Sequence, residues 1–96
     1  MRPSLALCAH RSAVLALAAA RGATRVCVFG SAARGDDHEG SDLDLLVDLP
    51  AGTSLLAVVE LQQALADALG VPVDMCTERE LDPVLRPQIL TQTRAL

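Results

Sequence analysis

"FGSAARGDDHEGSDLDLLVDL", residues 29–49, joins a glycine–serine turn and a polar loop to a strand-like run that contains three aspartates. Side chains on a strand alternate between its two faces. Leu43, Leu45, Val47 and Leu49 therefore share one face, while Asp42, Asp44, Leu46 and Asp48 share the other. The first face is wholly apolar and suits a core. The second is a poor core, because a buried unpaired carboxylate must pair, take up a proton or bind a metal. This strand thus predicts a leucine face against helices and an aspartate face for a metal.

The run "VPVDMCT", residues 71–77, repeats the pattern: Val71, Val73 and Met75 fall on one face and Asp74 on the other. If both strands set their apolar faces against the same helices, Asp74 emerges on the side of Asp42 and Asp44. Residues i and i+2 of a strand are about 6.6 Å apart. Two carboxylates at that spacing can converge on one cation, or on two cations roughly 3.5–4 Å apart. Asp48 lies about 13 Å beyond Asp44 by the same rise and reads as a solvated strand end outside the site.

Upstream, "TRVCVF", residues 24–29, reads as a short buried strand that stops at Gly30. Gly30 lets main chain come close to a ligand. Ser31 would open a short helix, whose free N–H groups favour an anion. Arg34, one turn later, offers a forked donor to the same phosphate. Hard oxygen ligands beside an anion-binding turn point to magnesium carrying a nucleoside triphosphate, since Mg²⁺ prefers one or two carboxylates plus substrate phosphates.

The rest of the chain frames this motif. Residues 3–21 suit an Ala-rich helix and residues 54–69 an amphipathic one, with Leu55, Val58, Val59, Leu61, Leu65 and Leu69 toward one side, a Thr53 or Ser54 cap and Gly70 as the stop. A last helix is predicted from Pro87 to Ala95. The order suggests a single α/β domain, residues 1–96, with helices on a small mixed sheet. Phe29 is the one aromatic residue, the net charge is −4, and all eight basic residues are Arg. An acidic chain without a basic cluster is a poor nucleic-acid binder. Cys8, Cys27 and Cys76 are odd in number and widely spaced, as free thiols in a reducing, cytoplasmic setting would be. No stretch approaches the roughly 20 apolar residues of a membrane span.

Gly30-Ser31, ten residues, then Asp42-x-Asp44, with Arg34-Gly35 and Ser41 between them and Asp74 on a later strand, resembles the signature of the DNA polymerase β-like nucleotidyltransferases. Within that superfamily the chain is similar to the minimal nucleotidyltransferase group over residues 24–95. The resemblance implies a small mixed sheet with helices packed on one face, in the polymerase β-like α/β (α+β) fold. It implies that Gly30, Ser31 and Arg34 hold the triphosphate of ATP and that Asp42, Asp44 and Asp74 ligate two Mg²⁺ ions and carry catalysis. Ser41 would shape the turn into the strand. The resemblance further implies AMP transfer onto a tyrosine of a HEPN-domain toxin partner, with the chain as its antitoxin and a hetero-oligomer as the assembly. Neutralisation of a HEPN ribonuclease by contact alone is the alternative.

Overall fold

The computed structural model describes residues 1–96, the Arg79 side chain excepted. The described residues form α1 (Pro3–Ala20), β1 (Arg25–Phe29), α2 (Gly30–Arg34), β2 (Leu43–Asp48), α3 (Leu55–Leu69), β3 (Val73–Cys76), a 3₁₀ turn (Glu78–Glu80), α4 (Arg86–Gln92) and β4 (Arg94–Ala95). The sheet order is β3-β2-β1-β4. β1 is antiparallel to β2 and β4, whereas β2 and β3 run parallel. Parallel neighbours need a crossover, and α3 supplies it.

The leucine face of β2 lies where alternation puts it. Leu43, Leu45 and Val47 are fully buried with Val26 and Val28 of β1, Val73 and Met75 of β3, and Ala6, Leu7, Val14 and Ala18 of α1. Leu61, Leu65 and Leu69 of α3 close this core. Each fully buried leucine contributes about 1.5–3 kcal/mol. Ser54 caps α3 by accepting the Ala57 N–H at 3.1 Å, as the sequence predicts. The opposite face also carries cover: Leu81, Ile89 and Leu90, from the 3₁₀ turn and α4, pack on Cys27 and Leu46.

Three expectations need amending. The α3 stripe is narrower than predicted, since Leu55 and Val59 are 79% and 52% exposed. They point off the seam, which runs through Val58, Leu61, Leu65 and Leu69 at three- and four-residue steps. The final helix ends at Gln92 instead of Ala95. Thr93 turns extended, and Arg94–Ala95 pair with Val28 and Cys27, which gives the main chain of β1 partners along its second edge. Lastly, α1 has 18 residues and a mean hydropathy of 1.3, so by length and composition it matches a membrane span. Its buried side chains make it instead a wall of the core, and it is kinked at His10.

One carboxylate is wholly withdrawn from solvent, and its role escapes the sequence reading. The Asp37 side chain accepts the Ser4 N–H at 2.8 Å and pairs with the Arg2 guanidinium at 3.1 Å. It thereby caps α1 and ties down the loop that follows α2. Arg2 also reaches the Gly35 carbonyl at 3.4 Å. Burial alone would push the Asp37 carboxyl up, but the Ser4 and Arg2 contacts outweigh it and hold the group below its ordinary value. A lowered carboxyl stabilises the fold above the unfolded-state value of about 3.9 and loses that contribution as pH falls through the lower folded value. Asp37→Asn is expected to cost about 1–3 kcal/mol at pH 7 in urea unfolding. The difference from the parent protein should shrink as pH is taken below about 3.9; a gap independent of pH would contradict this assignment.

Candidate active site

The sheet face turned away from α1 and α3 carries three cross-strand rows. The registers align Phe29, Asp44 and Asp74 in the first, and Cys27, Leu46 and Cys76 in the second. Arg25 and Asp48 form the third. The middle row is the apolar patch beneath Leu81, Ile89 and Leu90. In the third row Arg25 Nε meets Asp48 Oδ2 at 3.1 Å, and the same guanidinium reaches Glu78 at 3.7 Å. Asp48 is thus outside the carboxylate cluster, as expected, but it is ion-paired and not simply solvated.

The first row brings the predicted residues together. Asp44 and Asp74 are direct neighbours on parallel strands, a separation of about 4.8 Å between strands. Asp42 sits just ahead of β2, two residues from Asp44. Asp44 is half-buried, while Asp42 and Asp74 are exposed. Among the described residues none of the three carboxylates has a hydrogen-bond or ion-pair partner. Burial pushes the Asp44 carboxyl up, and the nearby charges of Asp74 and Asp42 push it further, against a smaller opposing pull from Arg34. The adjoining Cys76 thiol is raised to about 11 by burial, with Glu80, Asp74 and Asp44 adding to it. Cys76 is therefore an inert neutral thiol near neutral pH.

The turn presses directly on this cluster. Gly30 opens α2 with φ +72°, and a Cβ built on it would overlap a carboxylate oxygen of Asp44. Both facts demand glycine, and the second explains how the turn's main chain comes to lie against the acidic row. Ser31 follows in the first turn of α2 and is partly exposed. Gly35 ends the helix in the left-handed conformation, where its N–H donates to Ala32 and the Asp36 N–H donates to the Ser31 carbonyl. Arg34 is exposed, with only a 3.4 Å contact to Asp36. Ser41 shapes the entry to β2 by accepting the His38 N–H at 3.1 Å, and His38 is a solvated loop residue.

A cleft of about 790 Å³ lies elsewhere, between Asp48, Pro50, Thr53, Leu55, Glu78 and Arg86 at the opposite end of β2. Two of its acids, Asp48 and Glu78, are engaged with Arg25, and Glu80 accepts from Thr77, whereas the carboxylates of the acidic row have no such partners. No three acidic, His or Cys side chains among the described residues close on a single ion by themselves.

Comparison with known proteins places this geometry in context. A model of the nucleotidyltransferase domain matches residues 7–96. A protein of Methanocaldococcus jannaschii assigned as a protein adenylyltransferase is 41% identical over 71 residues, which are 74% of this chain and 76% of that one. The chain spans 66% of two further relatives from the same organism. A solved structure assigned as a minimal nucleotidyltransferase is 50% identical, with a TM-score of 0.86 and coverage of 97% of this chain and 95% of that one. A solved complex of a tri-AMPylated Shewanella oneidensis HEPN toxin with its MNT antitoxin contains a chain 26% identical to this one, at a TM-score of 0.69 and coverage of 90% and 67%.

Thermal melts in the presence of a chelator test the electrostatics of the row. Asp44→Asn should raise Tm, because the ionised group is disfavoured in the fold. Gly30→Ala should lower stability by at least about 1 kcal/mol, through the left-handed backbone alone. A neutral or destabilising Asp44→Asn would refute the reading.

Proposed function

The chain belongs to the nucleotidyltransferase domain family, and from that premise we propose that it transfers AMP from ATP to a tyrosine hydroxyl of a HEPN-family toxin, as that toxin's antitoxin. The observation that carries the site assignment is the pairing of Asp44 with Asp74 across β2 and β3, beside the glycine–serine turn that touches Asp44. The Shewanella complex, in which an AMPylated toxin accompanies a related antitoxin, supports the choice of acceptor.

The donor set fits a hard divalent cation. Three carboxylates without a cationic partner, one of them pushed up by the other two, are stabilised by a positive charge placed among them. That they do not close on one point by themselves agrees with Mg²⁺, which takes its remaining ligands from substrate phosphate and water. Asp42 and Asp44, with Asp74, would hold two such ions. Bound there, they would neutralise charge on the α-phosphate and on the leaving pyrophosphate.

The chain's own groups do the rest. The main-chain N–H groups at Gly30 and Ser31 hold the terminal phosphates, and the Arg34 guanidinium adds a forked donor. Asp74 is exposed on the edge strand β3, so an incoming hydroxyl can reach it. There it orients the hydroxyl and accepts its proton. The oxygen attacks the α-phosphorus in line, the bond to the bridging oxygen breaks, and pyrophosphate departs. Fixing donor and acceptor on neighbouring strands supplies the proximity on which such transfers depend.

Label transfer from α-labelled ATP to a co-purified HEPN protein is the direct test. Changing Asp42 and Asp44 together to Ala should reduce transfer by at least about 10²-fold. If the double variant still neutralises the toxin fully, contact alone is the mechanism. The nucleobase finds no free ring on which to stack, because Phe29 packs in the apolar cluster of the open face. ATP, GTP, CTP and UTP should therefore differ by less than about tenfold in kcat/KM; a strict preference for one would count against this.

A further inference from the structure

A second cleft, of about 420 Å³, opens between α1, α2 and β4, over the edge of β1 remote from β3. Three of the eight arginines line it: Arg11 from α1, Arg34 from the end of α2 and Arg94 from β4. Several other guanidiniums on this acidic molecule are matched with carboxylates, as in Arg2–Asp37, Arg21–Glu60 and Arg25–Asp48, and within the cleft Arg34 contacts Asp36 at 3.4 Å. Arg11 and Arg94 make no ion pair among the described residues. Both are exposed, and the floor between them is apolar, built from Leu7 and Val28.

The cleft also borders an open strand edge. Among the described residues β4 is the last strand of the sheet. Leu96 donates its N–H to the Val26 carbonyl at 3.1 Å. By antiparallel alternation the Ala95 N–H and C=O then face away from β1, where an extended chain can meet them. Uncompensated guanidiniums, an aliphatic floor and a free strand edge together select one kind of ligand. Nothing aromatic lines the cleft, so a nucleobase has no platform there.

We propose that this cleft docks an extended acidic–aliphatic segment of a protein partner, its carboxylates on Arg11 and Arg94 and its main chain along β4. The proposal extends the reading above, in which the substrate is a protein. Peptide binding and AMP transfer are measured separately, so either can fail without the other.

Cys8 provides the readout, since it is exposed and lines the cleft. Cys27 is buried and the Cys76 thiol is raised to about 11, so near neutral pH a maleimide reacts first at Cys8. The full chain is alkylated with N-ethylmaleimide and followed by mass spectrometry. An acetylated (Glu-Leu)₄ peptide, its (Lys-Leu)₄ counterpart and inorganic pyrophosphate serve as probes. At about ten times its Kd the acidic peptide should slow Cys8 alkylation about tenfold, and added salt should weaken this protection. Arg11→Glu or Arg94→Glu should abolish it, and the milder Arg11→Gln and Arg94→Gln should reduce it. An unchanged circular-dichroism spectrum and Tm in the peptide-free variants check that the fold is intact, and protection is scored against each variant's own peptide-free Cys8 rate. Three results overturn the proposal: no protection at about millimolar peptide, equal protection by the basic peptide, or protection that survives the charge reversals. Protection by pyrophosphate as strong as by the acidic peptide would also overturn it, in favour of a small-anion site.

Discussion

Everything in this molecule depends on the position of β2. It is hydrogen-bonded on both sides, to β1 and to β3, so its side chains have no freedom to choose a face. Three fully buried side chains, Leu43, Leu45 and Val47, lock one face against α1 and α3. A slip of one residue would put aspartates into that core, which is a strong penalty against any other register. The burial of the leucines therefore fixes where Asp44 points. Parallel pairing then brings Asp74 beside it from a strand that is 30 residues away in sequence.

The same arrangement sets charge against stability. Asp44 is half-buried among like charges, with Arg34 as a smaller counterweight. Its neighbours give it no hydrogen bond, and the turn at Gly30 leaves it no room to withdraw. Perturbed groups of this sort gather at functional sites, because a group tuned for ligand or substrate is seldom tuned for the empty fold. Compensation lies elsewhere. The apolar middle row and its cover from Leu81, Ile89 and Leu90 separate the acidic row from the Arg25–Asp48 pair. Asp37, buried and fully engaged, secures the loop that joins the two halves of the motif.

Two clefts on this molecule differ in chemistry. In the larger one, Asp48 and Glu78 are already bound to Arg25. The smaller one holds two guanidiniums without an acid partner, Arg11 and Arg94, and Arg34, which contacts Asp36, connects it electrostatically to Asp44 through the length of one short helix. An acidic chain with a local excess of arginine has a directional field, and directional fields steer acidic partners.

Local patterns determined a large share of this. Alternation alone separated the leucines of β2 from its aspartates, since the period of a strand is fixed by backbone geometry. Caps and stops marked both ends of α3, and the spacing from Gly30-Ser31 to Asp42-x-Asp44 pointed to the phosphate and metal chemistry. Tertiary structure decided the rest. Which part of the α3 stripe is buried depends on how the helix is rotated against the sheet, and Leu55 and Val59 point off the buried seam. The end of the chain became β4 because β1 had a free edge, a fact invisible from residues 93–96 themselves. Asp37 looked like any acid in a polar loop, because its partners Arg2 and Ser4 lie more than 30 residues earlier. A sequence states which side chains can face the same way, but pairing, burial and the matching of charges exist only once distant segments meet.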